Sequence, residues 1–105
     1  MSELARVALF CPDLLFGSKV AGALRAAGHE VVAADASADA LVVDLTADVD
    51  ERLRAAAAAD LPVVAFYSHV EQEVRRRAEG AGIDRVVPRS RMAREAAALV
   101  EGVLR

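Results

Sequence analysis

The stretch Leu41-Val42-Val43-Asp44-Leu45-Thr46 puts three aliphatic residues in a row with no polar alternation, and then a carboxylate. A half-exposed strand would alternate apolar and polar side chains; an unbroken apolar run suits a parallel strand covered by helices on both faces. The run therefore predicts a central strand of an α/β sheet, with Asp44 at its carboxyl end. In open α/β sheets that end, near the point where strand order reverses, is where ligands and chemistry collect. Two readings of Asp44 are open on this ground. It is a functional carboxylate, or Asp44 or Thr46 begins a turn in which Asp48 and Glu51 form an Asp-x-x-Glu cap for the next helix.

The rest of the chain alternates apolar runs with helical periodicity. Ala5 to Cys11 reads as a first strand, stopped by Pro12, which lacks an amide hydrogen for the ladder. Asp13 is then placed as the N-cap of a helix carried by Phe16, Val20, Leu24 and Ala27, with Gly28 at the C′ position. His29 to Ala34 reads as a second strand. The connection 35–39 is too short for a crossover helix, so an extended return or a single turn must lead into the central strand. Asp48 to Ala59 predicts a second helix on Val49, Leu53, Ala56 and Ala57, whose small side chains bury little area.

Leu61 to Tyr67 reads as a fourth strand. Ser68 and Glu71 have the spacing of a capping box, with His69 inside it, opening a helix on Val70, Val74 and Ala78 that Gly80 and Gly82 end. Asp84 to Pro88 is a short edge strand, and Ser90 caps a last helix carrying Met92, Ala96, Leu99, Val100, Val103 and Leu104. Five strands alternating with four helices make a three-layer parallel α/β domain.

A chain of 105 residues suits one hydrophobic core. Although 55% of it is hydrophobic, no apolar run approaches the roughly 20 residues a membrane span needs. No basic-then-apolar leader opens it, so a cytoplasmic location is expected. Cys11, the one cysteine, has neither a disulfide partner nor the companions of a structural zinc site. A net charge of −3 argues against general nucleic-acid binding. The charge is uneven: residues 1–69 carry five bases and ten acids, residues 70–105 eight arginines and six acids.

On this order of elements, and on the residues at the strand ends, nearly the whole chain resembles the receiver domain of bacterial response regulators. The resemblance implies a flavodoxin-like, five-stranded parallel sheet in the order 2-1-3-4-5, here with the second crossover helix short or missing. It also implies roles. Asp44 stands where that family carries its phosphorylated aspartate. Ser68, or Tyr67 with a shift of one, matches the hydroxyl residue that contacts the phosphoryl group, and Arg89 and Ser90 stand in place of a lysine. The family's magnesium-binding acidic pair is reduced to Asp13 in the segment Phe10-Cys11-Pro12-Asp13. Magnesium is a hard octahedral cation that takes oxygen ligands, and phosphoryl transfer needs it to neutralise developing charge. Cys11 and Pro12 supply no carboxylate, so the chain is similar to an atypical, or pseudo-, receiver. Arg89, a planar bidentate donor, is expected to pair with Asp44 and hold one state.

Other residues have structural explanations. The thiol of Cys11 reads as a small hydrophobe, His29 and His69 as cap or surface contacts, and Arg75-Arg76-Arg77 as a solvated helix face on which Glu71 pairs with Arg75 and Glu73 with Arg77. Arg85, Arg89, Arg91 and Arg94, with no acid between Asp84 and Glu95, are more unusual. Cations in the first turns of a helix oppose its macrodipole, and something negative nearby would make sense of them. With Met92 they form the expected interaction surface, on the last two helices and the edge strand.

The expectation is a signalling module without enzymatic activity or cofactor, acting through protein contacts without phosphorylation and dimerising through that surface. The alternatives are a phosphoacceptor with Asp44 as nucleophile and Mg²⁺ at Asp13, and a small-ligand or nucleotide-binding domain using the crevice above Cys11, Asp44 and Ser68.

Overall fold

A computed structural model describes residues 4–34, 36–68 and 70–104. Among these the chain runs β1 (Arg6–Phe10), α1 (Leu14–Ala26), β2 (Glu30–Ala33), β3 (Ala40–Asp44), α2 (Val49–Ala59), β4 (Val63–Tyr67), α3 (Gln72–Gly80), β5 (Arg85–Pro88) and α4 (Arg89–Val103). The strands form one parallel sheet in the order β2-β1-β3-β4-β5. This is the flavodoxin-like architecture expected from the sequence. β3 and β4 are buried at every position, as unbroken apolar runs require.

Successive side chains of a strand point to opposite faces, and the core divides accordingly. On one face Val7, Val42, Val64, Phe66 and Val87 pack with Phe16, Val20 and Leu24 of α1 and with Met92, Ala96, Leu99 and Val100 of α4. On the other face Ala8, Leu41, Val43, Ala65 and Tyr67 pack with Ala56 of α2 and with Val74 and Ala78 of α3.

The short connection between β2 and β3 works because little distance has to be recovered. β2 ends at Ala33, level with Leu9, and β3 begins at Ala40, level with Val7. The return is about 7 Å along the strands and about 10 Å across them. Six residues span that without a helix. None of the described residues of 34–39 is helical; Ala36 N–H closes a turn on the Ala33 carbonyl at 3.0 Å. Asp35 lies outside the described residues. The Asp39 carboxylate accepts the Arg6 amide at 2.8 Å and secures the far end.

Helix ends depart from expectation in three places. The Asp13 N-cap forms, its Oδ1 accepting from Phe16 N–H at 3.0 Å, and Gly28 takes the left-handed φ of +95°. Asp48 stands at the N-cap of α2 in a left-handed conformation, without a side-chain cap. The Ser68–Glu71 box does not form: Glu71 N–H bonds the Ser68 carbonyl at 2.8 Å in a separate turn and α3 starts only at Gln72. Val70 is thereby left exposed rather than on the helix stripe, and His69 lies outside the described residues. Ser90 is not a cap, because β5 runs directly into α4 and Pro88 occupies the N-cap.

Candidate functional site

Asp44 ends β3 beside β1, where the chain direction across the sheet reverses. It does not open to solvent: the residue is 4% exposed. Oδ1 accepts the Thr46 amide at 2.8 Å and the Thr46 hydroxyl at 2.5 Å. Oδ2 faces the Arg52 guanidinium, with Nη1 at 3.6 Å, and the Cys11 thiol at 3.8 Å. Nη1 itself donates to the Asp44 carbonyl oxygen at 2.8 Å. The contact with the carboxylate is thus ionic rather than a hydrogen bond, which 3.6 Å is too long to be.

Arg52, 6% exposed, is the residue that sequence reasoning missed. The periodicity held the signal, since positions 49, 52, 53 and 56 share one helix face and Arg52 falls inside the apolar stripe. Its second nitrogen reaches Asp48 at 3.4 Å, and the guanidinium carbon lies 5.3 Å from the Phe10 ring centroid. Ala57, placed on the buried stripe by expectation, is exposed.

Arg89 does not pair with Asp44. Its Nη2 bonds Asp13 Oδ2 at 3.1 Å, and its guanidinium stacks 4.4 Å from the centre of the Phe16 ring. The reason is position: Arg89 opens α4, which packs on the α1 side of the sheet, whereas α2 on the opposite side delivers Arg52. Asp13 therefore has one oxygen on the Phe16 amide and the other on Arg89. Among the described residues no three His, Cys, Asp or Glu side chains group as metal ligands.

Ser68, Arg89 and Ser90 do converge, together with Thr46, Phe16 and Ala93, on a cavity of about 440 Å³ at the carboxyl end of the sheet. Asp44 does not line it. Cys11 lines a different cleft of about 420 Å³, between α1 and β2. The crevice expected above Cys11, Asp44 and Ser68 is thus divided. Burial pushes the Cys11 thiol up to about 11, with the Asp44 charge adding to the effect; the thiol is held as a neutral group.

The expected interaction surface is altered as well. Met92 is fully buried in the α1–α4 core and contributes nothing to the exterior. Its place on the apolar face of α4, beside Ala96 and Leu99, decides this. The negative partner of Arg91 and Arg94 is Glu95, at 3.3 Å and 3.8 Å. Glu95 also breaks the helix geometry (φ −129°, ψ 24°). Arg85 is exposed and lines a cleft of about 220 Å³ with Asp84, Arg91, Glu95 and Leu99. On α3, Arg76 pairs with Glu73, Arg75 with Glu79 and Arg77 with Asp50 of α2, rather than with the partners expected. His29 is buried, with Nδ1 accepting from Ala5 N–H at 3.2 Å and Nε2 at 2.8 Å from Glu101.

A crystal structure of NtrX from Brucella abortus in complex with ADP superposes with a TM-score of 0.71 at 19% identity, over 96% of this chain. This chain spans 28% of the length of that one. The likeness shows the fold, which is receiver-like. No family model and no curated protein sequence matches the chain.

Proposed function

We propose that this domain is a receiver-type module of bacterial regulation that acts by binding proteins, without phosphorylation and without turnover. The observation that carries the reading is the closed state of Asp44. A phosphoacceptor needs an approachable carboxylate oxygen in line with the phosphorus and a cation beside it to absorb charge. Here Thr46 occupies Oδ1 twice over and Arg52 provides the cation beside Oδ2. Asp13, whose two oxygens are engaged by a backbone amide and by Arg89, does not suit a hard octahedral ion. The pair Asp44–Arg52 is on this reading a fixed internal bond in place of a switch.

The interaction face we assign is β5 with α3 and α4, lacking Met92. Arg91 and Arg94 leaning on Glu95 make it mixed in charge, which suits contact with a second copy of the chain. Among the described residues no helix is long and apolar enough to cross a membrane, and a cytoplasmic setting belongs to the same proposal. Intact-mass spectrometry after incubation with Mg²⁺ and acetyl phosphate tests the central claim. The folded wild type gains no phosphate; a single adduct that Asp44→Asn abolishes would overturn the reading. Sedimentation velocity with Arg85→Glu tests the dimer.

A second reading rests on the 440 Å³ cavity, where Arg89 and the residues Thr46, Ser68 and Ser90 bring one guanidinium and three hydroxyl side chains together. It predicts a small phosphorylated ligand. A thermal-shift titration with nucleoside phosphates, repeated on Arg89→Ala, distinguishes it from the first.

A further inference from the structure

Three of the four strand-to-strand connections carry a helix that covers the sheet: α1 after β1, α2 after β3 and α3 after β4. The fourth, from β2 to β3, carries none among its described residues. Parallel sheets are ordinarily covered on both faces, since every strand has side chains on each. Among the described residues, the passage after β2 supplies no helix to the strip of sheet over β1 and β2 on the side of α2, where the Arg52 guanidinium lies over the Phe10 ring and Ala8 is fully buried. Val32 is level with Ala8, and Phe10 lies one pleat further along the same face. Phe10, Val32 and Ala38, like Val49 and Leu53 of α2, pack against the core yet stay partly exposed.

The charge around this strip is one-sided. From Gly28 to Glu51 the sequence has seven carboxylates and no lysine or arginine. Asp44 is neutralised internally by Arg52, and Asp50 by Arg77. Glu30, Asp39, Asp48 and Glu51 are exposed, with Asp48 3.4 Å from the same Arg52 and Asp39 accepting the Arg6 amide. Arg6, in an ion pair with Glu30 at 3.4 Å, is a cation on the same edge. A second copy would bring the same acids against these and be repelled. The strip is two strands across, about 10 Å, which is the width of one helix. The β2 ladder edge, four residues long and opened by Glu30, offers less to an added strand.

We infer that this strip is a docking site for a basic amphipathic helix of another protein, seated where the chain's own crossover helix would lie and holding its cations against the acidic rim. The site is at the β2 edge, opposite the β5 face assigned above, and does not depend on that assignment.

The test uses the full chain and a defined probe, an 18-residue helical peptide of leucine and lysine with all leucines on one face. Controls are a peptide of the same composition with the leucines scattered, and a leucine–glutamate counterpart. Fluorescence anisotropy should show the amphipathic basic peptide binding at least ten-fold tighter than either control. Val32→Asp should weaken it at least ten-fold, while Val70→Asp, remote on the β4–α3 turn, leaves it unchanged. Amide shift changes should centre on residues 10, 32 and 38. Equal binding of the scattered peptide, indifference to Val32→Asp, shifts centred elsewhere, or self-association through this edge in sedimentation would each overturn the inference.

Discussion

Asp44 and Arg52 show how one buried ion pair turns a reactive position into a structural one. The carboxylate is buried because β3 is the central strand, and burial without a counter-charge is costly. Arg52 meets that cost from α2 and in turn has its own nitrogens satisfied by the Asp44 carbonyl and Asp48. Removing one member leaves the other charged and buried. Arg52→Ala should therefore lower unfolding free energy by about 3–5 kcal/mol, while the double variant Arg52→Met, Asp44→Asn should recover part of the loss. Urea denaturation of the three proteins measures both. Cys11 lies on the same pair and gives a second reporter. Burial, with the Asp44 charge, raises its pKa from 9.0 to about 11. Native alkylation at pH 8 should be about 100-fold slower than in denaturant, from the thiolate fraction alone. The sign for stability follows. The folded state holds the proton more tightly than the unfolded state, so this contribution is complete below about pH 9 and is lost as pH rises through about 11.

At the scale of elements, α4 is held at both ends by contacts to other parts of the chain. Its first residue, Arg89, is tied to the N-cap of α1 through Asp13. Near its last turn Glu101 meets His29, which is inserted between α1 and β2 and accepts the Ala5 amide just ahead of β1. That acceptance uses Nδ1 and leaves Nε2 as the donor to Glu101. Glu101→Ala strands a donor on a side chain with no exposed surface, and should cost about 1–2 kcal/mol. Glu101→Gln, which keeps an oxygen acceptor, should cost less than half of that in the same thermal melts. The break at Glu95 divides α4 between these two anchors. The segment before it carries the arginine pairs, and the segment after it carries Ala96, Leu99 and Val100 into the core.

For the whole molecule, the two apolar clusters share every strand, since Phe66 faces one and Tyr67 the other along the same β4. Neither layer can leave without exposing the sheet between them. The chain has one tyrosine and no tryptophan, so Tyr67 emission reports on the α2–α3 layer alone, whereas far-UV circular dichroism reports on all helices. The two urea transitions should coincide, as expected of a single cooperative domain. An earlier midpoint for Tyr67 would show that the α2–α3 layer, flanked by the helix-free strip, opens independently.

Period and punctuation in the sequence determined the elements, because strand and helix repeats, a proline stop at Pro12, an N-cap at Asp13 and a glycine at 28 all act over a few residues. The helix-free passage into β3 was legible for the same reason, since the connection 35–39 is too short for a crossover helix; the strand order came with the resemblance to receiver domains. Tertiary structure decided who meets whom. Nothing local says that α2 carries Arg52 under Asp44 while α4 turns Arg89 toward Asp13. Those pairings depend on which face of the sheet each helix covers. Nor does local pattern say that His29 spans two elements, or that Arg77 of α3 meets Asp50 of α2. Charge partners are chosen by distance in space, and distance in space is set only once the layers have packed.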